Sequence, residues 1–181
     1  MRLAAGFLCA IAALGQGFDL SLTDVQGQPV SIPAGKGGVT VVLFISTICP
    51  VSNKYNTRMN DLYRDYSTMG VKFVFVNANQ NESAAAVAAH ARQAGFAFPV
   101  YRDVGDNVAD RFGAQSTPET YVIDAAGRLR YHGRIDDAQN QARVHENSLR
   151  LAIDAVLAGG EVAAPETKAF GCTIKRARGA S

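Results

Sequence analysis

Short apolar runs alternate along the chain with longer segments in which apolar residues recur every three or four positions. Residues 39–45, VTVVLFI, form a continuous β-branched run without polar alternation, which is typical of a strand covered on both faces. Segments of helical period follow and precede further runs of strand length. This order predicts an α/β fold in which residues 39–45 form a central strand.

The other elements follow from the same patterns. Further strands are predicted at residues 18–22, 30–32, 71–76, 98–101, 120–123 and 129–131, and helices at residues 50–69, 83–93, 107–112 and 144–157. Turn residues between the first two of these strands predict an N-terminal β-hairpin, and those between the last two predict another hairpin. Residues 160–181 show little periodicity, so we expect a domain over residues 16–159 followed by a C-terminal tail.

The composition is that of one soluble domain. Of 181 residues 48% are hydrophobic and 19% are charged, and the formal net charge is +2. A near-neutral chain lacks the clustered basic face that nucleic-acid binding requires, and no apolar run reaches the roughly 18 residues of a membrane span. His90, His132 and His145 fall on different elements without metal-ligand spacing, so no metal or other cofactor is expected.

Residues 1–15 have the features of a secretory signal peptide. Arg2 supplies a positive charge, residues 3–14 are uncharged and apolar, and small residues precede the predicted cleavage site. Cleavage would leave Cys49 and Cys172 in a periplasmic or secreted protein, where disulfides persist, and membrane contact would be limited to export. The alternative for this segment is an N-terminal core helix.

Cys49 is the first candidate for chemistry. It lies where a buried strand ends and, with Pro50 at the first position, a helix begins. Unpaired backbone N–H groups and the positive end of the helix favour the thiolate, which is the nucleophilic form of cysteine. The alternative is a small buried apolar residue, and the local sequence leaves both open.

Thr117 and Pro118 stand immediately before the hairpin that begins at residues 120–123. Strand, Cys-Pro turn, long helix, strand, helix, then Thr-Pro before a hairpin and a last helix is the order of elements in the thioredoxin superfamily, which this chain resembles. The resemblance implies a cis bond before Pro118, beside the reactive cysteine, that presents backbone to an incoming peptide or thiol. On local sequence alone Pro118 would be an ordinary trans turn proline.

Within that superfamily residues 18–157 are most similar to the redoxin branch, the peroxiredoxin-like and alkyl hydroperoxide reductase/thiol-specific antioxidant-like proteins. The resemblance implies a thioredoxin-like fold with a central mixed sheet and helices on both faces. Typical thioredoxins carry a second cysteine where this chain has Ser52, so its Cys-Pro-Val-Ser motif cannot close an internal disulfide. Peroxiredoxins carry a proline seven residues and a Thr or Ser three residues before the reactive cysteine; those positions are Val42 and Ser46 here.

Cys172, in the tail, is the remaining thiol. A resolving cysteine far away in sequence is a known arrangement among redoxins, so the resemblance allows a Cys49–Cys172 disulfide within one chain. Such a bond requires the two Cα atoms to lie about 4.4 to 6.8 Å apart. The alternative for Cys172 is a free or structural thiol.

Charged side chains could tune the thiol of Cys49. Lys54 and Arg58, in the first turns after it, would lower its pKa if they pointed toward it, although such residues commonly form the solvated face of a helix. In a thioredoxin-like fold Glu119 would border the cysteine pocket and raise that pKa or select substrates.

Two function classes fit these residues. The first is a thiol-disulfide oxidoreductase or peroxiredoxin-like protein in which Cys49 attacks a disulfide or a peroxide beside Thr117 and Pro118. The expected substrates of this class are a protein disulfide, a small thiol or a peroxide. Cys172 then resolves the product, and an external thiol supplies electrons. The second class is a non-catalytic binding module or monothiol client trap that holds an extended peptide in the Pro118 groove, which the Ser52 substitution favours.

Overall fold

The computed structural model of this chain describes residues 17–177. The predicted signal peptide, residues 1–15, therefore lies outside the described residues, as do residues 178–181 of the tail.

The elements are numbered along the chain. The strands within the described range are β1 Phe18–Thr23, β2 Pro29–Ala34, β3 Thr40–Ile45, β4 Lys72–Asn77, β5 Val100–Arg102, β6 Ser116–Thr117, β7 Glu119–Ile123, β8 Leu129–Gly133 and β9 Cys172–Thr173. The α-helices are α1 Pro50–Asn53, α2 Asn56–Ser67, α3 Ala84–Gln93, α4 Asn107–Phe112 and α5 Ser148–Leu157. None of the helices in this part of the chain has the length and apolarity needed to cross a membrane.

A mixed seven-stranded sheet organises the described residues. Its strand order is β2-β1-β5-β4-β3-β7-β8, with β3 parallel to β4 and antiparallel to β7. The strands β1 and β2 form the predicted N-terminal hairpin. Helices cover both faces of the sheet, which confirms the predicted thioredoxin-like α/β fold. The short strands β6 and β9 pair with each other as a separate ribbon.

The strand β3 contributes side chains to a core on each face of the sheet. All six of its residues are buried. Val41 and Leu43 pack with α2, α3 and α5 on one face, whereas Val42 and Phe44 pack with α4 on the other. Successive side chains of a strand point to opposite faces, so two covered faces require apolar residues at every position. The carboxyl end of β3, which leads to Cys49, is therefore held from both sides.

The prediction of one continuous helix over residues 50–69 is wrong. Lys54 and Tyr55 separate α1 from α2. The N–H of Tyr55 donates to the carbonyl of Ser52 over 2.9 Å, a bond between residues three apart that tightens the turn. The Tyr55 ring is buried, and its hydroxyl donates to the carboxylate of Asp136 over 2.9 Å. This contact with a residue distant in sequence holds Tyr55 in place at the break between α1 and α2.

The helix predicted over residues 144–157 begins later, at Ser148. A 3-10 turn at Gln141–Arg143 precedes it. The backbone N–H of His145 donates to the carboxylate of Asp137 over 2.9 Å. This hydrogen bond holds residues 137–145 in a loop, so the helix begins only after it. The tail, in which the sequence shows little periodicity, contains the two-residue strand β9.

Two leucines on α5 give a matched test of the core. Leu149 is 0% exposed and Leu151 is 60% exposed. We expect Leu149→Ala to lower the free energy of unfolding by about 2 to 5 kcal/mol, because it leaves a cavity in the core. Leu151→Ala should change it by less than about 0.5 kcal/mol. Urea denaturation of both variants in the oxidised state measures the difference, and equal losses would contradict the packing described.

Candidate active site

Cys49 lies at the start of α1, just beyond the end of β3. It caps the helix: the backbone N–H of Ser52 donates to its sulfur over 3.3 Å. Its own N–H donates to the hydroxyl oxygen of Ser46 over 3.1 Å. The residue is only 2% exposed. When Cys49 is reduced, a backbone N–H at the start of a helix in this position stabilises the thiolate form of its sulfur.

A disulfide joins Cys49 to Cys172, 123 positions later in the chain. Their Cα atoms are 5.9 Å apart, within the range that disulfides occupy. The predicted pairing is therefore present, and the tail supplies the thiol that Ser52 cannot.

The peptide bond between Thr117 and Pro118 is cis, as the resemblance implied. The carbonyl oxygen of Thr117 lies 3.3 Å from the sulfur of Cys49. Thr117 also pairs with Cys172 in the antiparallel ribbon of β6 and β9. The four site residues predicted from the sequence, Cys49, Thr117, Pro118 and Cys172, thus meet in one place.

The tail is held on both sides of Cys172. Gly171 passes so close to the carbonyl of Thr117 that an added Cβ would collide with the backbone there. On the other side, Ile174 is buried in the core beside α4, and the N–H of Lys175 donates to the side-chain oxygen of Asn79 over 2.8 Å. These contacts hold the tail at the site in addition to the disulfide.

Glu82 is a buried carboxylate at this site that the sequence analysis did not identify. It accepts hydrogen bonds from the Ser46 hydroxyl at 2.5 Å, from the Thr47 N–H at 2.7 Å and from the Asn77 side chain at 2.8 Å. The Ser46 hydroxyl therefore donates a hydrogen bond to Glu82 and accepts one from the backbone N–H of Cys49. The strand topology could have revealed Glu82. Because β3 and β4 are parallel neighbours, the residues that follow them meet at one edge of the sheet.

Ser52, which replaces the second cysteine of the thioredoxin motif, is buried beside Cys49. Its hydroxyl oxygen accepts the backbone N–H of Ser46 over 3.2 Å. The side chain at this position therefore ties the start of α1 to the end of β3 and contributes no redox chemistry.

The two basic residues considered as activators of Cys49 contact other groups. Arg58 forms a buried ion pair with Asp136 at 2.5 Å and lies over the ring of Tyr55. Lys54 donates to the side-chain oxygen of Gln139 over 3.2 Å. Both connect this segment to the loop before α5, which corrects the interpretation of these two residues as activators of the thiol.

Glu119 forms a separate buried cluster. It accepts from the ring nitrogen of His132 at 2.6 Å, from the Tyr121 hydroxyl at 2.9 Å and from the N–H groups of Gln115 and Ser116 at 2.8 Å each. Burial acts to raise the pKa of Glu119, but the hydrogen bonds from His132 and the two N–H groups outweigh it and hold the pKa at about 2. The ionised carboxylate thus fixes the turn that leads into β6.

Among characterised relatives, the thiol-disulfide oxidoreductase ResA of Halalkalibacterium halodurans is 30% identical over 114 residues, which is 63% of this chain and 64% of that protein. The chain therefore matches less than two thirds of the length of this relative.

Two crystal structures resemble the chain over most of its length. An uncharacterized conserved protein from Geobacillus kaustophilus has a TM-score of 0.81 and 30% identity, over 91% of this chain and 92% of that one. A hypothetical protein from Sinorhizobium meliloti has a TM-score of 0.80 and 31% identity, over 93% of this chain and 97% of that one.

The sequence also matches the AhpC/TSA family over residues 15–132. That range includes Cys49, Thr117 and Pro118 and ends before Cys172. Because the match covers more than half of its length, this chain belongs to the AhpC/TSA family, and it carries one cysteine of its disulfide beyond the matched region.

Proposed function

We propose that this protein is a thiol-disulfide oxidoreductase in which Cys49 is the nucleophile and Cys172 is the resolving thiol. The observation that carries the proposal is the Cys49–Cys172 disulfide at the cis bond before Pro118. The similarity to a protein named thiol-disulfide oxidoreductase supports the same reaction class.

The proposed cycle exchanges one disulfide for another. The thiolate of Cys49 attacks one sulfur of a substrate disulfide, and the other substrate sulfur leaves as a thiolate. The thiolate of Cys172 then attacks the sulfur of Cys49, which releases the second substrate thiolate and leaves the Cys49–Cys172 disulfide. An external thiol later reduces this disulfide and is itself oxidised.

Resolution by Cys172 is favoured because the tail is already in place. The pairing of Thr117 with Cys172 and the burial of Ile174 do not themselves involve the sulfur–sulfur bond, so they can keep the tail near Cys49 after that bond is reduced. A held thiol acts at a high effective concentration, so resolution within the chain should outcompete a second external thiol.

Reduction of hydroperoxides is the second candidate, because the family includes thiol-specific antioxidant proteins by name and Ser46 stands three residues before Cys49. In that reaction the Cys49 thiolate takes one peroxide oxygen and becomes a sulfenic acid, while the other oxygen leaves with a proton as an alcohol or water. The leaving oxygen needs a hydrogen-bond donor. The Ser46 hydroxyl already donates its hydrogen bond to Glu82, and Arg58 is paired with Asp136. Neither group is therefore free to donate to the leaving oxygen of a peroxide, so the geometry favours disulfides as substrates.

The binding-module alternative requires an open edge at Thr117 for an extended peptide. In the oxidised protein β9 already pairs with that edge. A module that held clients there would therefore have to release its own tail first, whereas the oxidoreductase uses the same tail as a reactant.

Serine variants of the two cysteines separate these functions. Cys172→Ser should react once with a peptide disulfide, remain as a mixed disulfide through Cys49 and turn over about 100-fold more slowly than wild type, because resolution is no longer intramolecular. Cys49→Ser should form far less adduct, because the remaining sulfur of Cys172 lacks the hydrogen bond from a helix start that the sulfur of Cys49 accepts. Mass spectrometry after quenching with an alkylating agent reads both outcomes, and the exposed neighbour variant Thr173→Ser is the matched control.

The outcomes that oppose the proposal are distinct. Full turnover by Cys172→Ser would indicate a monothiol mechanism, and no adduct with either variant would favour the binding module. If hydrogen peroxide oxidises the reduced wild-type protein to the disulfide faster than an equal concentration of peptide disulfide does, peroxide reduction becomes the better assignment.

We also propose export to the periplasm or the cell exterior, since residues 1–15 have the signal pattern and a stable disulfide suits an oxidising compartment. Expressed with its full sequence in a bacterial host, the protein should appear outside the cytoplasm with an N-terminus at Gln16. N-terminal sequencing of each cell fraction is the measurement. Intact Met1 on cytoplasmic protein, with none exported, would refute this.

A further inference from the structure

We propose that Asn79 is a positioning residue for the resolving step, because its side chain holds the tail where Cys172 can attack the sulfur of Cys49. The inference rests on the proposed function and deepens its second step. Asn79 lies in the loop between β4 and α3, residues 78–83, and acts through the backbone of the tail.

The β4–α3 loop binds the tail three residues beyond Cys172. The side-chain oxygen of Asn79 accepts the N–H of Lys175 over 2.8 Å, and the carbonyl of Lys175 accepts the N–H of Gln80 over 2.8 Å. The burial of Ile174 also anchors the tail, but apolar burial is not directional, whereas these two hydrogen bonds are. Three residues span at most about 10 Å, so a fixed Lys175 confines Cys172 to a small region.

The position of Asn79 is itself fixed by a buried network. Asn79 is 4% exposed, and its backbone N–H donates to the side-chain oxygen of Asn77 over 3.3 Å. The side-chain nitrogen of Asn77, the last residue of β4, donates to the carboxylate of Glu82 over 2.8 Å. Buried polar groups that are paired in this way rigidify the segment that carries them.

The carboxylate of Glu82 connects this network to the other cysteine. It accepts the hydroxyl of Ser46 over 2.5 Å, and the same hydroxyl oxygen accepts the backbone N–H of Cys49 over 3.1 Å. Hydrogen bonds therefore run without interruption from the backbone of Cys49 to the backbone of Lys175. One loop thus sets the position of the tail relative to Cys49.

The resolving step depends on this placement. The thiolate of Cys172 forms a bond to the sulfur of Cys49, the bond between Cys49 and the substrate sulfur breaks, and the substrate leaves as a thiolate that takes a proton. The gain from an attack within one chain depends on how closely the attacking group is held. The first step, in which Cys49 attacks the substrate, does not use the tail as a reactant. Loss of the contact with Asn79 should therefore slow only the second step.

The test measures the two steps separately in Asn79→Ala. Reduced full-length protein is mixed with a peptide disulfide, quenched with acid at a series of times, alkylated and analysed by mass spectrometry. We expect the mixed disulfide on Cys49 to convert to the Cys49–Cys172 disulfide about tenfold more slowly than in wild type. Formation of the mixed disulfide, measured with Cys172→Ser added to both proteins, should change by less than about twofold, because Cys49 keeps its own contacts.

Two further variants serve as controls. Asn79→Asp keeps an oxygen in place for the N–H of Lys175, and within the described residues the side-chain nitrogen of Asn79 has no hydrogen bond to lose. This variant should resolve within about threefold of the wild-type rate. Asn81→Ala removes the same side chain from an exposed position two residues away and should match wild type in both steps.

Hydrogen exchange tests the same contact without a substitution. In the reduced wild-type protein the amide of Lys175 should exchange at least about tenfold more slowly than in an unstructured peptide, because its N–H stays bonded to Asn79. This measurement decides the matter even if Asn79→Ala does not fold.

Several results would overturn the inference and leave the exchange activity in place. They are a wild-type rate of resolution in Asn79→Ala, equal slowing of both steps, an equal loss in Asn79→Asp, or an unprotected Lys175 amide in the reduced protein. A wild-type protein that forms neither a mixed disulfide nor the Cys49–Cys172 disulfide when mixed with the peptide disulfide would instead remove the proposed function, and this inference with it.

Discussion

The pairing of Thr117 with Cys172 is the contact on which the rest of the site depends. It places the tail along the backbone that precedes the cis proline, and it sets the two cysteine Cα atoms 5.9 Å apart. Without it, Cys49 would face a serine at the position where typical thioredoxins have a partner thiol. The tail therefore restores a dithiol to a motif that has lost its own.

This arrangement links redox state to the fold. The disulfide joins residues 123 positions apart, and a cross-link of that span lowers the entropy of the unfolded chain by an amount worth about 5 kcal/mol. The folded tail has other anchors, such as Ile174 and the bond from Lys175 to Asn79, so reduction can release the cross-link without removing the tail from the domain. Ser46 and Thr47 follow β3, and Glu82, which accepts their hydrogen bonds, lies in the segment after β4. These two parallel strands are held by the cores on both faces of the sheet.

The sequence predicts the parts of this structure that depend on local patterns. The apolar run at residues 39–45 indicates a doubly covered strand because each of its faces meets a core, and the position of Cys49 after it follows directly. Local patterns do not predict the break between α1 and α2, because it depends on a hydrogen bond from Tyr55 to Asp136, which is distant in sequence. Glu82 was missed because its role appears only when β3 and β4 are known to be neighbours, and the two-residue strand β9 is too short to show a period.

We propose that Cys49 and Cys172 act as one redox couple in place of the missing local pair. Equilibration of the full chain in buffers of graded glutathione redox potential, followed by alkylation and mass spectrometry of each cysteine, tests it most directly. We expect both thiols to become alkylated together in a single two-electron transition, without a populated glutathione adduct. Separate transitions for the two cysteines, or a stable glutathione adduct on Cys49 while Cys172 stays free, would contradict it.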